Sequence, residues 1–137
     1  MKDMNMDALF KQSPEHKALF ERIQKLCLSF PGSIERLSHG TPTFFINNKQ
    51  SFVQYWVNHH NDGIIALWAS AAAGVQSILI ESNSEVYFRP PYVGHLGWIG
   101  IRLDRDATWT EISGVVEDAY LNKAPKKYKD LIIKSTR

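Results

Sequence analysis

Cysteine occurs once in the chain, as Cys27. A single thiol excludes an internal disulfide, a CxxC redox pair and a multi-cysteine zinc centre, and a reducing compartment follows as the expectation. Long apolar runs are missing too. No segment reaches the length of a membrane span, and the opening "MKDMNMDALF" mixes charges with isolated apolar residues where a signal peptide needs an unbroken stretch. A cytoplasmic protein with no membrane partner is therefore expected. The chain also lacks G-x-S-x-G, P-loop and G-x-G-x-x-G signatures. "GHLGWIG" at 94–100 looks like a phosphate loop, but no helix follows to supply the N-terminus that would hold the phosphate.

The histidines and carboxylates are too scattered to form a centre. His59 and His60 are adjacent at a turn, where solvation is the simpler expectation, and no metal-ligand spacing joins them to His39 or His95. Asp104 and Asp106 are explained by a strand end and a helix cap better than by acid and base roles. No catalytic residue, metal or cofactor is expected.

What is present is an ordinary soluble composition. Apolar residues make up 44% and charged residues 22% of 137 positions, enough for one domain with a real core. That domain is expected to span 1–137, with 1–12 weakly ordered. The net charge of +2 is uneven: Lys123, Lys126, Lys127, Lys129, Lys134 and Arg137 face only Asp130 in the last sixteen residues, which leaves the rest of the chain net acidic. A basic tail suits phosphate contact, and equally suits a solvated end that favours a helix macrodipole.

Periodicity gives the elements. Ser13 and Pro14 start a helix, and Leu19, Phe20, Ile23, Leu26, Cys27 and Phe30 form its apolar stripe up to the "PG" stop. Cys27 on that stripe reads as a small buried hydrophobe. From Thr43 the period changes to two. "TFFIN", "SFVQYWV" and "IIALWAS" form a meander with turns at "NKQ" and "HHNDG". A short helix carrying Val75, Ile78 and Leu79 follows, then "EVYF", a proline–glycine corner and a strand in "WIGIRLD". Thr108 and Glu111 make a capping box for a last helix with Ile112, Val115, Val116, Ala119 and Tyr120 inward, ended or kinked by Pro125. The class is α+β, with N- and C-terminal helices on one face of an antiparallel sheet.

Alternation assigns the other sheet face. Val53, Tyr55, Val57, Ile65, Leu67, Ile99, Ile101 and Leu103 oppose Phe52, Gln54, Trp56, Ile64, Ala66, Trp68, Trp98, Gly100 and Arg102. Two arrangements follow. Phe52, Trp56, Trp68 and Trp98 with Arg102 and Arg89 make an open stacking surface of the kind that holds single-stranded nucleic acid, or the short helix or the tail covers the rings and Arg102 lays its stem over them.

The segments "LSHGTPTFF" at 37–45, "ALWAS" at 66–70, "FRPPYVGHLGWIGIRLD" at 88–104 and "WTEISGVVEDAYLNKAPKK" at 109–127 resemble the MmcQ/YjbR family of small bacterial proteins. The match runs over nearly the whole chain from the first helix. Its motif positions are Ser38, His39, Gly40, Pro42, Pro90, Pro91, Tyr92, Gly94, Gly97, Trp98, Ala124, Pro125 and Lys126. The resemblance implies a fold like that of bacterial frataxin (CyaY-like, double-wing type). It implies DNA binding and brings no catalytic set. An iron role is disfavoured, because the first helix mixes Glu15 and Glu21 with Lys17, Arg22 and Lys25, whereas hard cations want clustered carboxylates.

The expected function is a non-enzymatic binding domain for nucleic acid. The alternative is a small-molecule or protein-interaction module with a shallow site at the "RPPYVGHLGW" end. In that segment the prolines hold an extended stretch and the glycines permit a reversal, so it is a corner first. The candidate ligand-binding residues are Arg89, Tyr92, His95, Trp98, Arg102, His39, Lys126 and Lys127.

Overall fold

A computed structural model gives the fold of residues 14–61 and 63–135. The chain runs α1 (Pro14–Leu28), β1 (Ser33–Ser38), β2 (Thr41–Ile46), β3 (Gln50–Val57), β4 (Ile65–Ala69), α2 (Val75–Ser82), β5 (Tyr87–Phe88), β6 (Ile99–Arg102), α3 (Trp109–Lys123) and α4 (Lys126–Ser135). The strands form one antiparallel sheet in the order β1-β2-β3-β4-β6-β5. The α+β class follows, as alternation and helical stripes predict. The proposed cap Ser13 and the weakly ordered 1–12 lie outside the described residues, as does Asp62 of the "HHNDG" turn. No described helix is long and apolar enough to cross a membrane.

Helices serve one face. Phe20, Ile23 and Cys27 of α1 and Ile112, Val116, Ala119 and Tyr120 of α3 close over Phe44, Val53, Tyr55, Leu67, Ile99 and Ile101 in one apolar core. Leu79 and Ile80 of α2, and Tyr128 and Ile132 of α4, pack on its margin. Burial first, and the nearby Glu35 second, push the Cys27 thiol far up, so it is an inert core group. The α2 stripe differs from its sequence pattern in one place. Ile78 is 67% exposed, since so short a helix turns only one edge to the core.

Two elements depart from the sequence expectation. "SIERLS", which lies before Thr43 where the period-two pattern begins, is the edge strand β1; His39 (φ 55) and Gly40 (φ 77) form a two-residue turn of the twisted hairpin kind that pairs Ser38 with Thr41. The lysine-rich tail is a helix, α4, held where Tyr128 Oη donates to Asn47 Oδ1 at 3.0 Å.

Phe52 is a correction. Opposite Phe44 and Phe45, β2 pairs with Val53 and Ser51, so Phe52 is the extra residue of a β-bulge. The bulge turns its ring from the second face into the helix-side core, edge-on to Tyr120 at 5.4 Å and to Phe30 at 6.2 Å.

The capping box before α3 is present. Glu111 N–H donates to Thr108 Oγ1 at 3.1 Å, and Thr108 N–H donates to Glu111 Oε1 at 2.9 Å. Thr108→Ala is expected to destabilise the fold by about 1 kcal/mol in urea unfolding. The Thr108 backbone N–H, then its hydroxyl, holds the Glu111 carboxyl below its ordinary range. A carboxyl whose folded pKa is depressed stabilises above its unfolded value, about 4, and loses that contribution as pH falls through the lowered value. The wild-type melting temperature should therefore drop more steeply below about pH 4 than that of Thr108→Ala.

Candidate functional site

On the second face, cross-strand pairing sets Thr43, Gln54, Trp68, Gly100 and Phe88 in one row and Trp56, Ala66 and Arg102 in the next. Glycine at 100 is required by close approach: a Cβ there would lie 2.4 Å from Phe88 Cζ, because the Phe88 ring lies flat across that position. Among the described residues no helix covers this face. The proline corner does so instead, with Val93 and Phe88 packing beside Ala66, Trp68 and Trp98. Trp68 is 3% and Trp98 5% exposed. The open stacking platform is thus replaced by a small second core, roofed by the corner and not by the short helix or the tail.

The corner is fixed from outside. Gln76, on α2, donates both amide hydrogens, to Gly94 O at 2.9 Å and to Trp98 O at 2.6 Å. Gln76→Leu should remove the side-chain donor from the Trp98 carbonyl and leave Gly94 O with the Gly97 N–H alone, at a cost of about 1–3 kcal/mol; thermal unfolding and faster proteolytic cutting within 89–98 would register it.

Where the roof ends, a cleft of about 460 Å³ opens between the β1–β2 turn, the β3–β4 turn and the corner. Trp56, Trp68, His59 and Gln54 form one side; His39, His60, Tyr92 and Val93 complete the lining. Trp56 and Trp68 lie 4.8 Å apart at 31°, and the His59 ring stands edge-on to both at 4.6 and 4.9 Å. Tyr92 reaches His59 at 5.8 Å and His60 at 6.4 Å while staying 68% exposed. Trp56 Nε1 donates to Gln54 Oε1 at 2.9 Å. His39, Asn58, His60 and Tyr92 all have left-handed backbone, with φ between 49° and 65°. Such conformations cost free energy in non-glycine residues and gather where structure over-determines them.

Of the candidate residues, His39 and Tyr92 meet at this cleft. His95 is exposed on the short 3-10 turn Gly94–Leu96 outside the lining, and Arg89 is exposed with its stem across Gly94. Trp98 lies beneath the roof. Arg102 turns to Asp104, with Nε–Oδ1 and Nη2–Oδ2 both at 3.0 Å. Partial burial alone would raise the Asp104 carboxyl, but the hydrogen bonds and charge of Arg102 outweigh it and hold the group low. Lys126 and Lys127 are at the other end of β2: Lys126 Nζ pairs with Asp130 at 2.9 Å, and Lys127 sits 5.2 Å from the Tyr128 ring.

Gln54 and the histidine pair were not picked from sequence. Of His59 and His60, both expected to be solvated, His60 is exposed and His59 is half-buried against the tryptophans, the two rings lying 4.1 Å apart at 52°. The available signal was Gln54 itself, a polar residue on a face otherwise rich in tryptophan.

No protein-family model matches this chain, and no curated protein matches it. Among solved structures it is similar to Deinococcus radiodurans protein DR2400, described as a DUF419 domain. The TM-score is 0.65 at 12% sequence identity, over 81% of this chain and 85% of that one. At that identity the likeness speaks for a shared fold alone.

Proposed function

We propose that the protein is a small-molecule binding domain whose site is the aromatic cleft under Tyr92, and that it is a member of the MmcQ/YjbR family with the CyaY-like architecture that membership implies. The cleft carries this reading. Its volume and mostly aromatic lining with few polar groups fit the profile of ligand pockets. Two of the stretches that resemble the family, "LSHGTPTFF" and "FRPPYVGHLGW", supply His39 and Tyr92 to it. It offers ring faces, the Gln54 amide, three imidazoles and the Tyr92 hydroxyl, a set able to stack on and hydrogen-bond a flat ligand. Because Trp56 and Trp68 are in the wall, a bound ring should change intrinsic fluorescence and raise the melting temperature. A screen of flat metabolites is the test: hits that lose both effects in Trp56→Ala support the reading, and a screen without hits removes it.

The nucleic-acid reading rests on a different surface. Lys49 and Lys123 line a hollow of about 190 Å³ beside Pro125, next to the exposed Lys126 and Lys127 of α4. Phosphate contact there predicts DNA affinity that falls steeply with salt and is lost in Lys126→Ala/Lys127→Ala. No lysine or arginine lines the aromatic cleft among the described residues, so the two readings are separable.

A further inference from the structure

We infer that the cleft selects flat heteroaromatic rings bearing a hydrogen-bond acceptor, ring carbonyls of the uracil kind, and that Gln54 reads that acceptor. The inference rests on the cleft being a binding site and names what it takes.

The chemistry follows from one hydrogen bond. A glutamine amide has an acceptor oxygen and a donor NH2, and an indole N–H only donates. The Trp56 Nε1–H bond to Gln54 Oε1 therefore fixes which way the amide stands. Its Nε2 hydrogens are the free end, and no described residue accepts from them. Among the described residues the sealed side-chain atoms without a partner are His16 Nδ1, Ser33 Oγ and Tyr55 Oη; Gln54 Nε2 is not one of them, although the residue as a whole is only 9% exposed. An amide this enclosed, on the wall of a cleft, presents its NH2 to the cleft's contents. Left without an acceptor it is costly, so whatever displaces the water there must bring one.

Shape comes from the paired indoles. Trp56 and Trp68, paired across the strands with Ala66 and Gln54, lie 4.8 Å apart at 31°, so the rings stack on each other, and with Trp68 buried the half-buried Trp56 indole is the ring face next to the donor. No acidic side chain lines the cleft among the described residues, so a quaternary ammonium would be held by ring faces alone, and it is included as a competing probe.

The test uses the full chain and three probes: uracil (flat, acceptors), indole (flat, no carbonyl) and tetramethylammonium (cation). Binding is followed by equilibrium dialysis and tryptophan fluorescence. Gln54→Glu keeps an oxygen for the Trp56 N–H but replaces the donor with a charged carboxylate oxygen, so Gln54→Met, which removes the donor without adding charge, is the neutral control, with circular dichroism checking both folds. We expect uracil to bind and to weaken by about tenfold or more in each folded variant, while indole binding does not fall. Uracil binding unchanged by either variant overturns the role of Gln54 yet leaves the cleft as a site. Indole or tetramethylammonium binding without uracil does the same to the ligand class. If none of the three binds, the inference falls, and the separate metabolite screen decides whether the cleft reading falls with it.

Discussion

Phe52→Ala is expected to lower stability by about 3–5 kcal/mol while leaving the cleft intact. The ring is fully buried, edge-on to Tyr120 and Phe30, and Tyr120 is itself tied to the first loop where its hydroxyl donates to Pro31 O at 2.6 Å. Removing it opens a cavity between Phe30 after α1, Tyr120 of α3 and the sheet, which these packed rings fill only in part. Had Phe52 followed simple alternation, it would border the cleft, and its loss would alter ligand binding. Because the bulge turns it away, chemical denaturation should register the whole effect, and any cleft ligand should keep its affinity once the variant is folded.

Trp68→Ala should cost a similar 3–5 kcal/mol, a melting-temperature loss of roughly 10 °C or more, but with a different signature. Trp68 belongs to both the second core and the cleft wall: it touches Trp56 and His59 on one side and clusters with Ala66 and Trp98 on the other. The variant should therefore lose stability and ligand-induced fluorescence change together, and the corner should become more accessible to protease. Trp68→Phe, which keeps a ring across Gly100 and Gln54, should recover most of the stability. A Trp68→Ala protein as stable as the wild type would mean that the second core contributes nothing.

Much of the fold is legible in the sequence where one principle acts alone. Period-two alternation marks β2, β3 and β4, helical stripes mark α1 and α3, and the Thr108–Glu111 spacing marks a cap. The misses come where two effects compete. Glu35 and Arg36 hide β1, because no residue of this edge strand is buried and its two apolar side chains, Ile34 and Leu37, are exposed, which leaves no apolar alternation to show. Charge density hides α4, whose anchors Tyr128 and Ile132 are sparse among lysines. The bulge at Phe52 cannot be read from spacing, since it depends on the register chosen with β2. The candidate site was half legible: His39 and Tyr92 were found through the corner and the "SHGTP" stretch. Arg102 and the lysines were named for their charge, and charge alone does not say that Asp104 and Asp130 lie in reach.

The strand order has a further consequence for the cleft. The first four strands are chain neighbours that pair in sequence, and β5 and β6 form their own hairpin, so the sheet consists of two locally closed pieces. They are joined only along β4 and β6, through the pairs Ala66–Arg102 to Ala69–Ile99. The cleft straddles that seam, with Trp56, Trp68 and the histidines on the larger piece and Tyr92 and Val93 on the loop of the smaller one. Low-contact-order pieces assemble before the long-range joint between them. The tryptophan wall is then expected to form early and the tyrosine flap to be laid down last.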